Sequence, residues 1–152
     1  MTNEELKLAL LNYLSTAVAE ETGEWPVFNI EATDWLGLAT HLKADPSLSF
    51  DFLFCVTCVD WKTHLSMVYH LQSTKYRHSI VVKAKLNSQN PTINSVAAVW
   101  RTAEFHEREA YEMFGVDFID HPDLRLLILP DGWEGKNPMR KDFEDPVNMI
   151  RL

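Results

Sequence analysis

The sequence predicts an α+β fold: an antiparallel or mixed sheet with helices packed on one face, followed by an irregular C-terminal tail. Three observations carry this. The elements run helix, strand, helix, strand, strand, strand, helix, which is a series of hairpins with helices added and not a βαβ alternation. Two consecutive runs alternate with period two, Leu65, Met67, Tyr69 and Leu71 on one face, then Ile80, Val82 and Ala84 on one face of the next. After Gly115 the residues Pro122, Pro130, Gly132, Gly135, Pro138 and Pro146 interrupt the chain too often for long elements.

Taken in order, Thr2 or Asn3 is a suitable N-cap for a first helix carrying Leu6, Leu10, Tyr13, Leu14 and Ala17, with Gly23 as its stop. Residues 25–30 read as a short strand, and Pro26 argues for an edge position. Thr33 or Asp34 caps a second helix with Leu36, Leu38 and Leu42, ending before Pro46. Residues 49–61, 65–71 and 78–86 are strand-like, with turns expected at 62–63 and 73–76. Residues 87–94 form a polar loop, and Ser95 caps a third helix that ends at Gly115. Beyond it, residues 124–129 are long enough for a short strand. There is no internal repeat and no low-complexity segment.

The third helix holds the densest set of charges. At ~100° per residue, Val96, Val99, Trp100, Ala103, Ala110, Tyr111 and Phe114 share one apolar sector, and Glu107 falls near its middle. A carboxylate in that position is either paired or held for chemistry; Arg125, Arg140 and Lys141 are the expected cations. Arg108 lies at the sector's edge, spaced to pair with Glu104 and Glu112, and Glu109 points to the far flank.

Composition sets the outer bounds. A chain of 152 residues with 46% apolar side chains can bury a core without disulfides or metal. A net charge of −8 argues against non-specific binding to nucleic acid or anionic lipid. Two cysteines and no basic leader point to a reducing compartment. No apolar run approaches the ~20 residues that span a bilayer.

Several constellations contain residue types suited to chemistry. His106-Glu-Arg-Glu-Ala110 begins like the zinc-protease helix, but Ala110 stands where the second His is needed. Cys55-Val-Thr-Cys58 has redox or zinc spacing, yet it lies in a strand, where residues three apart face opposite sides. Two small buried strand residues is the better reading. Glu104, Glu107, Glu109 and Glu112 with His106 and His121 lack the shared face of a di-metal site. Glu107 as a general acid or base is weighed against a structural ion pair, which is the commoner use of a buried carboxylate. His121-Pro122-Asp123 reads as a turn. There is no phosphate loop, dinucleotide fingerprint or nucleophile elbow.

The run Glu107-Arg-Glu-Ala-Tyr-Glu-Met-Phe-Gly-Val-Asp-Phe-Ile-Asp-His-Pro-Asp-Leu-Arg125, with Trp133 and Arg140-Lys-Asp142, resembles the C polypeptide of NADH:quinone oxidoreductase. That family comprises the thirty-kilodalton subunit of respiratory complex I. The matching positions are Glu107, Arg108, Glu109, Glu112, His121, Pro122, Asp123, Arg125, Trp133, Arg140, Lys141 and Asp142, and the resemblance covers residues 50–142. The family usually has Gly where this chain has Asp120, and often a second Arg in place of Leu126. The spacing from Trp133 to Arg140 is one residue longer than usual.

The resemblance implies a subunit of the hydrophilic arm, on the cytoplasmic side of the inner membrane and attached to it only through the complex. It implies no catalytic, cofactor-binding or metal-binding residue in this chain. NAD, FMN, iron–sulfur clusters and quinone belong to partners, and the chain packs against the larger quinone-site subunit and cluster-bearing subunits. An equivalent subunit of a ferredoxin-, F420- or hydrogenase-linked membrane complex is the alternative within the class. A stand-alone metal or acid–base hydrolase using Glu107 with His106 or His121 is the alternative outside it. Residues 1–130 are expected to form one α+β domain, and 131–152 a docking tail that is not part of the domain's own core; no fusion to the larger neighbouring subunit is expected, and any extension over it is short. The tail's Trp133, Met139, Phe143, Met149 and Ile150 are spaced too irregularly for one helix or strand face.

Overall fold

A computed structural model describes residues 1–20 and 23–149. Helix α1 (Asn3–Tyr13) opens with a capping box in which the Thr2 hydroxyl accepts from the Glu5 amide and the Glu5 carboxylate accepts from the Thr2 amide. The helix stops well short of Gly23, earlier than its periodicity implies. Val18–Glu20 forms strand β1, paired antiparallel with β2 (Val27–Glu31). A ladder of backbone bonds to a neighbouring strand outweighs the weak local preference of this stretch.

Strand β2 is not an edge. It lies between β1 and β5 (Ser79–Asn87), parallel to β5. Pro26 precedes the paired residues, so its missing N–H costs the ladder nothing, and its carbonyl accepts the Val81 amide. A single 3₁₀ turn (Ala32–Asp34) leads into α2 (Trp35–Ala44). Asp34 holds the N-cap position, but its carboxylate accepts the Thr16 hydroxyl and caps no amide.

Strands β3 (Phe52–Asp60) and β4 (His64–Gln72) complete the five-stranded sheet, in the order β1-β2-β5-β4-β3. The β3–β4 and β4–β5 pairs are antiparallel hairpins, so the sheet is mixed. The turns fall at 62–63, as expected, and at 73–78, slightly longer than expected. The alternating residues Leu65, Met67, Tyr69, Leu71, Ile80, Val82 and Ala84 enter one core with Leu6, Leu10, Trp35, Leu38 and Leu42 of the first two helices. The opposite face carries only a small cluster around Val27, Val68 and Val81. Helices therefore cover one face of the sheet.

A bulge between Leu53 and Cys55 shifts the β3 register. Cys58 then faces the core, while Cys55 is half-buried beside His70. Burial pushes the Cys58 thiol up to about 12.

The polar loop after β5 contains a short strand, β6 (Thr92–Asn94). Helix α3 begins at Ala103, not at Ser95, and runs to Phe114. Residues 95–102 make successive tight turns, with the Val99 and Trp100 amides both bonded to the Val96 carbonyl. The Trp100 indole donates to the Phe50 carbonyl and the Thr102 hydroxyl to that of Leu53, which fixes this corner beside β3. Val96, Val99 and Trp100 thus reach the core without being helical. Gly115 closes α3 in the left-handed conformation at φ 75°. The strand that follows is β7 (Asp117–Ile119), parallel to β6. Residues 124–129 form no strand.

Candidate functional site

The signature residues converge on α3 and the segment it holds. Glu107 is 0% exposed, as its place in the apolar sector required, but its partners are not the expected cations. The Ser95 hydroxyl donates to one carboxylate oxygen (2.5 Å) and the Val96 amide to the other (2.8 Å). Arg125 and Arg140 bond elsewhere, and Lys141 is exposed. Burial raises Glu107 to about 7 against the pull of these two donors. His121 faces it, with Nε2 3.7 Å from the carboxylate. That nitrogen faces the Glu104 carbonyl at 2.9 Å, and Nδ1 accepts the Asp123 amide at 3.0 Å. The pattern is that of a neutral imidazole protonated on Nε2. His121-Pro122-Asp123 is a turn, as its composition implies, and the histidine ring locks it onto α3.

Arg108 is 5% exposed and does not sit at an edge. Its guanidinium donates to the carbonyls of Arg125 (3.1 Å) and Leu126 (2.6 Å). Glu112, 1% exposed, accepts the amides of Leu127 (2.8 Å), Ile128 (2.9 Å) and Leu129 (3.1 Å). Neither forms the ion pair that i,i+4 spacing suggested. Because residues 125–129 have no strand partner, their backbone groups require other acceptors and donors, and these two side chains supply them. Leu127 and Ile128 nevertheless point outward, Ile128 at 65% exposure. Glu109 lies on the exposed flank, as expected. Arg125 and Asp123 form an exposed pair at 2.8 Å, which holds the Asp123 carboxyl below the usual carboxylate range. Pro122 is exposed at the turn.

Asp120 stands where the left-handed backbone is needed, at φ 61°. The tail returns to the domain at a few points. Arg140 donates to the Phe114 carbonyl at the end of α3 (2.6 Å) and to that of Ser88 (2.8 Å). The Met139 amide bonds the Met113 carbonyl, and the Lys141 amide bonds Asp60. Asn137 covers Gly115 so closely that a Cβ there would meet it at 2.6 Å. Trp133 is half-buried against Phe143 and lies under the Lys136 ammonium. The Lys141 side chain and Asp142 are exposed. Ile150 lies outside the described residues.

Ser95 caps no helix and instead holds Glu107, while Asp60 holds the tail; no local spacing announces either contact. Among the described residues there is no cluster of three or more potential metal-ligating side chains. No helix there is long and apolar enough to cross a membrane. Glu107 and His121 do meet, and both side chains are fully enclosed.

The model of the respiratory-chain NADH dehydrogenase 30 Kd subunit matches residues 28–147, across this whole constellation. The chain belongs to that family. The C polypeptide of the NADH-quinone oxidoreductase of Chlorobium phaeobacteroides is 41% identical over 123 residues, covering 78% of this chain and 74% of that one. Its counterpart in Chloroherpeton thalassium is 39% identical over 122 residues, and the C/D polypeptide of Phocaeicola vulgatus 42% identical over 113. These matches cover 78% and 73% of this chain; it spans half the length of the first relative and 22% of the second. The fold is similar to the trypsin-resistant fragment of Nqo5, with a TM-score of 0.70 at 24% identity over 81% of this chain and 100% of that one. It is also similar to a chain of the membrane-bound sulfane sulfur reductase, an archaeal respiratory membrane complex. There the TM-score is 0.76 at 25% identity, over 93% of this chain and 85% of that one.

Proposed function

We propose that this chain is a structural subunit of the hydrophilic arm of a NADH–quinone oxidoreductase. It carries no redox group and positions its neighbours by docking against the larger quinone-site subunit. One observation carries the reading: Arg108 and Glu112, both buried, spend their charges on the backbone of residues 125–129 while Leu127 and Ile128 face outward. A segment fixed by buried charges that displays large aliphatic side chains to solvent is the kind of exposed apolar surface that marks an interaction site. The tail adds exposed Met139, beside the Arg140 anchor, and exposed Val147 and Met149 further along, and we assign it to the same docking surface.

The C/D relative supports the choice of partner, because in that protein the matched segment is part of one longer polypeptide. NADH, flavin, clusters and quinone then belong to neighbouring subunits, and the assembly sits at the cytoplasmic face of the membrane. The likeness to a sulfane sulfur reductase chain favours the second reading, an equivalent scaffold in a related respiratory complex.

The test is Ile128→Asp. The side chain is largely exposed, so the melting temperature should stay within about 1 °C of the parent, given the small effect of most surface changes. Capture of the co-expressed larger subunit should fall at least roughly tenfold, the loss of ~1.4 kcal/mol or more expected at an interface centre. Parental capture would show that this segment is not the docking surface.

A further inference from the structure

We propose that Glu107 is a buried proton-binding site whose protonation state sets the direction of the Ser95–Glu107 hydrogen bond and makes the stability of the folded chain depend on pH. The geometry is built for two states. With Glu107 ionised, the Ser95 hydroxyl donates to the carboxylate and its oxygen accepts the Ala97 amide. With Glu107 protonated, the carboxyl proton points at the Ser95 oxygen, the Val96 amide keeps its acceptor, and the serine proton must turn away. The Ser95 oxygen then accepts twice, and the 95–97 turn persists in either state.

No cation balances the ionised form. Among the described residues no Lys or Arg lies within ion-pair distance of Glu107, and His121 has both ring nitrogens committed to backbone groups. From β4, Tyr69 faces the site with a fully buried hydroxyl that has no hydrogen-bond partner. Burial first, and Glu107 second, drive that phenol well above its ordinary value. Cys58 of β3 stands behind it as a thiol. Helix α2 contributes Trp35, packed on Tyr69, which has no charge to offer. On α3 itself Arg108 is turned to the carbonyls of residues 125 and 126, and Glu104 presents its carbonyl to His121. The fold therefore favours the neutral acid, and Glu107 is raised to about 7.

The sign follows from linkage. The unfolded chain releases this proton in the ordinary carboxylate range and the folded chain only near neutrality. The contribution is complete below the ordinary range, is lost as pH rises through about 7, and is constant above. His70 and His78, lowered by burial, act in the opposite sense over the same window, so a comparison between variants is needed.

Glu107→Gln imitates the protonated acid, its amide oxygen accepting from Val96 and its NH2 donating to Ser95. Thermal melts at pH 5 to 8.5 should show the Gln variant gaining on the parent as pH rises, with the difference flat above about pH 8. Equal slopes in the two proteins would overturn the proposal. Carbon-13 NMR of the glutamate carboxyls in the intact parent gives an answer that does not depend on the variant folding. One glutamate titrating between pH 6 and 8 is expected, and all titrating below pH 5.5 would overturn it. Ser95→Ala removes a donor to the ionised form and should move that midpoint upward; an unmoved midpoint would remove Ser95 from the switch.

Discussion

Arg108 and Glu112 stand one turn apart on α3 and, instead of pairing, bond opposite backbone groups of the same short segment. The arginine takes the carbonyls of Arg125 and Leu126, and the glutamate takes the amides of Leu127, Ile128 and Leu129. Their effects on stability should therefore be coupled through that segment. Arg108→Ala and Glu112→Ala should each cost about 3 kcal/mol, because each strands buried backbone groups. The double variant should lose about 1–3 kcal/mol less than the sum, measured by urea unfolding. Strict additivity would mean that the two residues hold the segment independently.

The two left-handed positions around β7 should respond in opposite ways. Gly115→Ala meets an unfavourable φ and the Asn137 side chain at 2.6 Å, so it should destabilise by at least ~1 kcal/mol. Asp120→Gly removes strain at φ 61° and should stabilise by up to about 1 kcal/mol. Thermal melts of the two variants suffice, and a destabilising Asp120→Gly would show that the aspartate is held by more than its backbone.

Arg140 joins the tail to the domain through the Phe114 and Ser88 carbonyls. Its charge also lies at the C-terminal end of α3, where a cation is favoured. Arg140→Ala should cost about 1–2 kcal/mol and free the backbone around the exposed Lys136 and Lys141 for cleavage by trypsin. Digestion followed by mass spectrometry should show faster cleavage at those lysines with residues 1–130 still intact. An unchanged cleavage pattern would mean that Met139 and Asn137 alone secure the tail.

The two cysteines should differ sharply in reactivity. Cys58 is buried and its thiol is raised to about 12, so at pH 7.5 it holds its proton and is shielded from reagents. Cys55 is half-buried and should label with iodoacetamide at least ~10-fold faster in the native chain. In urea the two rates should converge.

The sequence by itself determined much of the apolar core. Period-two alternation placed Leu65, Met67, Tyr69 and Leu71 on the core face, and glycine's tolerance of positive φ marked Gly115 as the end of α3. Helical phase put Glu107 in the interior. These are local properties, set by the geometry of a single element. The limits of the elements were less legible. Val18–Glu20 became a strand because β2 offers it a ladder, and residues 95–102 left the helix because β3 takes their side chains. Only the tertiary structure decided what the buried charges do. Glu107 turned to Ser95 and Val96, twelve and eleven residues back, and Arg108 and Glu112 to the backbone of residues 125–129. The physical reason is that burial obliges a charge to find partners without specifying which. The nearest unsatisfied backbone groups can be any that the folded chain brings there, and here they outcompeted every side chain of opposite sign.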